Sequence, residues 1–524
     1  MKNNLVLYEI SWEVCNKVGG IHTVINSKYN QAKNNFENYY LVGPFVENKT
    51  NEFEEKQVPE EFNGAFEYLK SLGIILHFGT SNQLENSKVI LVEYLGFREN
   101  INDIKSKLWE KYSIDSLNSN WFDFDEAILW SWCVGLAVES LEYSFNREVL
   151  VHAHEWMSGG AIFALDNLEK QEKFKTIFTT HATMLGRTLS GVGVNLYDEL
   201  EFIENPEEKA RDLGIITKFQ TEKTLAKISD SFTTVSDTTA YEAEKFFEKK
   251  VDNVLINGFD NSSCLTIDEV LENFVKSRNK INQFLENHFE GIDLDKVKIF
   301  YTSGRNEVRN KGVDIYIKSL AKLNEKLKQE ENSVRIVNFI LLMSGEFEPI
   351  QDKSNSILTH DCGDHEVLRL LRENNLNNLP EDKVLNIFIP VMLDGNDGVI
   401  NMEYYEFISG TDLGVFPSLY EPWGYTPLES ISFGVPTLTS DLAGFGQSIH
   451  NSCGNTCSSV SILQRDKLEE DIVVELLMIY LNMEVHLNKK STLFQKEVAK
   501  LLARKYDWKH VYSNYINEYA RLLE

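Results

Sequence analysis

The sequence predicts an α/β protein made of two Rossmann-like, doubly wound domains with a cleft between them. Three observations carry this. The chain has 524 residues, beyond the size at which one core keeps growing, so two large domains are expected and the cleft between them is the default ligand site. Short apolar runs alternate with helical patterns from Leu5 onward. A second such series begins at Lys296, after a polar, helix-patterned stretch over 260–293 that reads as the junction.

In chain order, residues 5–11 read as a buried strand, 16–20 as a glycine turn and 21–34 as a helix, the opening βα unit of a doubly wound sheet. Further strands are read at 74–78, 89–92, 148–153, 175–180 and 231–235, helices at 124–143 and 208–228, and a last strand at 253–259. The second series has strands at 296–302, 337–343, 384–388, 413–416 and 436–439. Its first helix carries Val313, Ile317, Leu320, Leu323 and Leu327 on one face, a core stripe. The acidic, Asn-rich stretch 346–382 is the least structured part. The expected domains are 1–262, 263–505 with a short insertion at about 345–383, and a C-terminal helix over 506–524 that crosses back to the first domain.

A formal net charge of −28 argues against nucleic acid or an anionic membrane as a broad partner, since both need a basic face. No segment reaches roughly 18 uninterrupted apolar residues and no signal-peptide pattern opens the chain, so a soluble, cytoplasmic protein is expected. The six cysteines, at 15, 133, 264, 362, 453 and 457, are scattered and read as reduced thiols. Cys453 and Cys457 lack the second pair or histidine partner of a zinc site.

The most informative stretch is YEPWGYTPLESISFG, from Tyr420 to Gly434. Thr426-Pro427-Leu428-Glu429 reads as a helix start: Thr as N-cap, Pro at the first helical position, Glu at the capping-box position. Together with the strand at 413–416 this makes strand, loop, helix, with backbone N–H groups and the positive dipole end turned outward beside Glu421. Such a site suits a phosphorylated sugar: amides for a pyrophosphate, Glu421 and Glu429 for hydroxyls. Glu429 alone is equally well explained as a capping residue. The rings of Tyr420, Trp423 and Tyr425 in one short loop favour a sugar or base site.

Other candidates sit where open α/β sheets bind ligands, at the carboxyl ends of strands. Arg305 and Lys311 follow the strand at 296–302 and could neutralise a diphosphate leaving group, the guanidinium as a fork and the ammonium as a point charge. Arg187 and His181 hold the corresponding place after the strand at 175–180. Gly19 and Gly20, after Lys17, could let backbone approach a phosphate, although the turn is neither GxGxxG nor a Walker loop. His152 and His154, at i and i+2, invite a metal reading, but Glu155 is the one nearby carboxylate and no metal site is assigned.

Taken together, these motifs resemble the glycogen synthases of the animal and fungal type, retaining glycosyltransferases of the GT-B fold, in which two Rossmann-like domains face across a deep cleft. The resemblance runs through EISWEVCNKVGGIHTV (Glu9–Val24), HAHEW (His152–Trp156), FTTHATMLGR (Phe178–Arg187), FTTVS (Phe232–Ser236), GRNEVRNKG (Gly304–Gly312), YEFISGTDLGVFPSLYEPWGYTP (Tyr405–Pro427) and Asp507-Trp508-Lys509. It implies transfer of glucose from UDP-glucose, a co-substrate, to the non-reducing 4-hydroxyl of glycogen or another α-1,4-glucan, with no metal or other cofactor. It implies Glu421 at the transferred glucose and Glu429 at the donor ribose. Arg187, Arg305 and Lys311 would bind the pyrophosphate, Tyr404 would stack on uracil, and His181 and Asn257 would line the glucose site. Gly19, Gly20 and the amides of Gly424, Tyr425 and Thr426 would belong to closing loops, and Lys17, His154, Glu155 and Trp156 to the cleft on the acceptor side.

The sequence departs from that family in places. Eukaryotic members carry an arginine-rich helix that senses glucose 6-phosphate. Here the matching span, about 488–506, holds Lys489, Lys490, Lys496, Lys500, Arg504 and Lys505, with Ser491, Val498 and Leu501 where arginines are expected, so weak or absent activation is expected. The short 343–384 region puts the eukaryotic tetramer in doubt and leaves homo-oligomerisation open. Asp412 replaces a family His, which could alter base or effector preference. Two alternatives stand beside the main reading: another GT-B glucosyltransferase with a different donor base or acceptor, and an inactive glucan-binding scaffold.

Overall fold

The computed structural model describes residues 5–46, 52–168, 173–261, 266–330, 334–350, 356–454 and 456–524. It divides into two compact units: Met1–Val192 with Glu199–Asp260 and Trp508–Glu524, and Gly193–Asp198 with Asn261–Asp507. The short segment Gly193–Asp198 therefore groups with the second unit, and the boundary read at 262/263 lies outside the described residues.

The first unit holds a sheet of β1 (Leu5–Ile10), β2 (Asn38–Pro44), β3 (Phe53–Glu55), β4 (Ile75–Ser81), β5 (Val89–Glu93), β6 (Glu148–His154), β7 (Phe174–Thr180), β8 (Ser231–Thr234) and β9 (Asn253–Val254), in the order β3-β4-β5-β2-β1-β6-β7-β8-β9. Pairing is parallel except at β3–β4 and β4–β5. β1 is buried along its whole length, as a central parallel strand covered on both faces must be. The sequence reading missed β2, whose Tyr-Tyr-Leu-Val core is flanked by Asn and by Gly-Pro, residues that read as turn signals. Pro44 is tolerated because it is the strand's last residue. The helix read at 208–228 is two, Pro206–Asp212 and Ile216–Ile228, with a turn between them. The strand read at 253–259 is cut to its first two residues.

The helix Trp508–Leu522 completes this unit. Trp508 Nε1 donates to Ser27 Oγ (2.7 Å), Tyr515 OH to the Leu255 carbonyl (3.2 Å), and Ser231 Oγ to Glu518 Oε1 (2.5 Å).

The second unit holds β10 (Val297–Arg305), β11 (Arg335–Met343), β12 (Val384–Ile389), β13 (Leu413–Val415), β14 (Thr437–Ser440), β15 (Thr456–Cys457) and β16 (Val460–Leu463), ordered β12-β11-β10-β13-β14-β16-β15. Only the β15–β16 pair is antiparallel among the described residues. Alternate residues of β11 feed opposite cores: Ile336, Ile340 and Leu342 pack with the helix Val313–Lys328, whereas Val337, Phe339 and Leu341 pack with Ile281 and Leu285 of the helix Ile267–His288. Within the stretch read as least structured, Glu366–Glu373 is helical.

The cysteine reading needs correction. Cys453 and Cys457 are joined by a disulfide: the helix Gly444–Cys453 ends, the chain reverses at Gly454, and β15 brings the Cα atoms to 5.9 Å, within bridging range. Cys15, Cys133 and Cys362 are free, and Cys264 lies outside the described residues. Among the described residues no helix is long and apolar enough to cross a membrane.

Candidate active site

In the first unit the turn after β7 carries His181 and Arg187. Three carboxylates from three other elements build it. Glu155, just after β6, accepts the amides of His181 (2.9 Å) and Ala182 (3.2 Å) through Oε1. Glu222 accepts the Met184 amide (2.8 Å) and the Thr180 hydroxyl (3.2 Å). Glu242 accepts the amide and hydroxyl of Thr183 (3.2 and 2.9 Å). Thr183 in turn caps the helix Met184–Gly191, accepting from the Gly186 amide, and Arg187 projects exposed from that helix's first turn. Glu155 holds φ 65° and ψ 160°, a region that costs a non-glycine residue about 1–3 kcal/mol and persists where the surroundings over-determine it. Burial pushes the Glu155 carboxyl up, against the pull of Arg187 and the two amides. Burial and then the charge of Glu155 push Glu222 well up.

His154, Glu155 and Trp156, expected on the acceptor side of the cleft, are all buried. They support the turn from behind, since β6 runs through the sheet interior and Trp156 stacks on Phe124 at 5.7 Å. The carboxylate that joins His152 and His154 is Glu9 of β1 rather than Glu155, with ligand atoms within 4.8 Å of one another. A metal reading does not fit this donor set. The Lys28 ammonium already pairs with Glu9, and every ring nitrogen of the two histidines is bonded within the protein. The glycine turn is also occupied: Glu13 accepts the amides of Gly19 (2.8 Å) and His22 (2.9 Å), filling the start of the helix Gly20–Asn35. Lys17 and Gly20 are left exposed. Asn257, buried beyond β9, has an Oδ1 without a hydrogen-bond partner among the described residues.

In the second unit the loop after β10 and the loop after β13 are stitched together. The amides of Leu419 and Tyr420 donate to the Asn310 carbonyl (2.8 and 3.3 Å), and Arg465 donates to the Pro417 carbonyl. Gly312, at φ 69°, is where backbones touch; a Cβ there would lie 2.0 Å from the Pro417 oxygen. The result sets Lys311 Nζ on Glu421 Oε2, a part-buried ion pair. Arg305, more exposed, pairs with Glu307 at 3.0 Å. Carbonyls of Glu421 and Trp423 accept the amides of Gly444 (3.0 Å) and Phe445 (2.7 Å), so backbone bonds fix the loop.

The helix after this loop runs Tyr425–Ser432 with Gly424, at φ 109°, as N-cap and no side-chain cap. Thr426 is therefore not the cap, and Glu429 closes no capping box. Pro427 sits at the third helical position, which still needs no intrahelical N–H. Glu429 instead accepts from Tyr405 OH (3.1 Å), whose ring stacks on Phe433 at 4.5 Å. Tyr404 OH bonds Ser303 Oγ of β10 (2.8 Å), so Tyr404, Glu429, Glu421 and Lys311 ring the carboxyl ends of β10 and β13. Asp412 does not face this ring. Its carboxylate is buried on Arg278 (2.5 Å) and the Ile299 amide (2.7 Å); the charges of Arg278, Lys298 and Lys496, with that amide, overcome burial and hold it below the ordinary carboxylate range.

Sequence reasoning missed Glu9, Glu13, Glu222 and Glu242. Glu9 left a signal, an acid inside the apolar run LVLYEI; the other three lie in polar or helical contexts where a carboxylate is unremarked.

The family model for glycogen synthase matches residues 9–348 and 346–524. Glycogen (starch) synthase isoform 2 of Saccharomyces cerevisiae is 29% identical over 98% of this chain and 85% of its own length. The liver glycogen (starch) synthase of Homo sapiens is 28% identical over 97% and 82%, and that of Caenorhabditis elegans 30% over 84% and 76%. Among solved structures, the catalytic domain of starch synthase IV from Arabidopsis thaliana, bound to ADP and acarbose, superposes with a TM-score of 0.59 at 13% identity, covering 99% of both chains. Sucrose-phosphate synthase from Thermosynechococcus elongatus gives 0.54 at 13% identity, again over 99% of both chains. With two parallel α/β units and a family match from residue 9 to the last residue described, this chain belongs to the glycogen synthase family, glycosyltransferases of the GT-B fold.

Proposed function

We propose that this enzyme transfers glucose from UDP-glucose to the non-reducing 4-hydroxyl of glycogen or a related α-1,4-glucan, with retention at the anomeric carbon. The observation that carries the reading is the Lys311–Glu421 pair beside the start of the helix Tyr425–Ser432. It supplies a carboxylate for the electron-poor sugar carbon and a cation for the leaving diphosphate beside a helix N-terminus that has no side-chain cap. Arg305 and Arg187 add guanidinium forks for the diphosphate. Tyr404 serves the base, Glu429 the ribose, and His181 and the unpartnered Asn257 Oδ1 the glucose. Transfer by these side chains calls for no metal, because cations of the protein neutralise the leaving group. Gly19, Gly20 and Lys17 belong to a loop near the substrates, held by Glu13. The protein works in the cytoplasm on a soluble or particulate glucan.

The test is the initial rate of nucleotide release from UDP-glucose and, in parallel, ADP-glucose, with and without glycogen, for the wild type and Glu421→Ala. Glycogen-dependent release from UDP-glucose that vanishes in the variant is expected. Tight donor binding without such release would favour the scaffold alternative, and preference for ADP-glucose would overturn the donor assignment.

A further inference from the structure

His181 is the outer end of a buried chain of hydrogen bonds. Its Nε2 meets Nδ1 of His154 at 2.9 Å, and Nε2 of His154 meets Oε1 of Glu9 at 2.6 Å. Glu9, inside β1, also accepts from the Tyr39 hydroxyl and pairs with the Lys28 ammonium. His152 lies tilted against His154, ring centroids 4.3 Å apart, but takes no place in the chain, its nitrogens being held by Tyr519 OH (2.9 Å) and Thr179 Oγ1 (2.7 Å). Glu9, Lys28, His152 and His154 are almost wholly inaccessible to solvent.

The direction of each bond follows from what each atom can do. An ionised carboxylate only accepts, so His154 must donate from Nε2. A neutral imidazole with one N–H has one acceptor, so His154 Nδ1 accepts and His181 must donate from its own Nε2. His181 Nδ1 is then bare, and it makes no hydrogen bond among the described residues. The charge states agree. Burial opposes ionisation of Glu9, yet Lys28, His152 and the Tyr39 bond hold its carboxyl below the ordinary range. Burial, reinforced by Lys28, keeps His154 neutral; burial, His154, Lys28 and Arg187 keep His181 neutral against the opposing pull of Glu9.

We propose that Glu9 and His154 are positioning residues that lock His181 in its Nε2–H tautomer, so that Nδ1 is presented as a hydrogen-bond acceptor to a hydroxyl of the donor sugar. This deepens the proposed function and rests on its placing of His181 beside the glucose. An acceptor nitrogen selects a group that can donate. A hydroxyl satisfies it, whereas fluorine at the same carbon does not, and a protonated or flipped ring would lose the selection.

The full chain, labelled with nitrogen-15 histidine, reads the tautomer directly, because protonated and bare ring nitrogens resonate far apart. Loss of one of the 11 histidine signals in His181→Gln assigns the residue. At neutral pH the wild type should show His181 protonated on Nε2 and bare on Nδ1. A ring protonated on Nδ1, or on both nitrogens, overturns the proposal without touching the reaction itself. UDP-glucose, but not UDP, should then shift the Nδ1 signal. No shift in a sample that turns over UDP-glucose overturns the acceptor role while the transferase reading stands. Lys28 and His154 meet the same oxygen of Glu9, so in Glu9→Gln the amide oxygen can keep that place and the tautomer with it; His154→Leu instead removes the acceptor at His181 Nε2, so the His181 proton should no longer be held there and kcat/KM should fall at least about tenfold. Glu9→Asp should keep the native tautomer and most of the rate. A His181 still held wholly in its Nε2–H form in folded His154→Leu overturns the relay, and should that variant not fold, the wild-type spectrum alone decides.

Discussion

The two strand-end turns that carry the candidate catalytic groups are built by opposite means. The turn from Thr180 to Arg187 hangs from three buried side-chain carboxylates, each accepting two hydrogen bonds. The loop from Pro417 to Gly424 hangs mainly from backbone bonds and a glycine contact, and its ion pair, Lys311–Glu421, is part-buried. The acids inside the first turn hold structure; the ion pair at the second stays partly accessible, where a ligand can reach it. Substitution of acids in the two places should therefore fail differently.

The largest effect is expected at Glu421. Glu421→Ala should lower kcat by about a thousandfold, as losing a group aimed at transition-state charge does, while the unfolding midpoint barely moves. Glu155→Ala should do the reverse in emphasis, leaving two buried amides unpaired at a cost of about 1–3 kcal/mol each, read as faster hydrogen exchange across residues 180–187. Glu155→Gly loses the same bonds but relieves the backbone, so it should be the more stable of the two variants; equal stability would show that φ 65° stores little strain. Gly312→Ala should cost about 1–3 kcal/mol and weaken donor binding, since Pro417 must retreat and carry Glu421 away from Lys311.

A smaller effect separates the turns by pH. Because the folded Glu222 carboxyl lies well above its unfolded value of about 4.3, the native state binds the extra proton, and its stabilisation is present in acid and lost as pH rises. The first unit should accordingly lose stability as pH rises above the ordinary carboxylate range, and Glu222→Gln should flatten that slope. The smallest effect is regulatory. Lys496 and Lys500 point inward to the carbonyls of Thr411 (2.6 Å) and Ser432 (2.8 Å), so glucose 6-phosphate should raise the rate by less than about fivefold, the low end of allosteric coupling. A larger stimulation would place an effector site on this helix after all.

Legibility differed between the turns for the same reason. Glu421 sits in a loop dense with Gly, Pro and aromatic residues, and Arg305 and Lys311 at a glycine-bounded strand end, where the sequence announces a site and its contacts are local to two neighbouring strand ends. The three acids under His181 come from residues 155, 222 and 242, and only tertiary structure joins them. Helix capping misled at Thr426 because Gly424 could take the left-handed start two residues earlier, a choice that TPLE cannot reveal. β2 was hidden by its flanks, although its place between β1 and β5 makes it central.

The helix Trp508–Leu522 has a consequence for biogenesis. It lays Tyr519 on His152 and Glu518 on Ser231, deep in a unit whose other strands are complete by residue 254. During synthesis the first unit must wait, unfinished, while some 250 further residues are made and the second unit becomes able to fold. The second unit's chain is thus complete before the first unit's, and a chain ending shortly before Trp508 would lack the helix that covers His152 and Ser231, a substrate for quality control rather than a truncated enzyme.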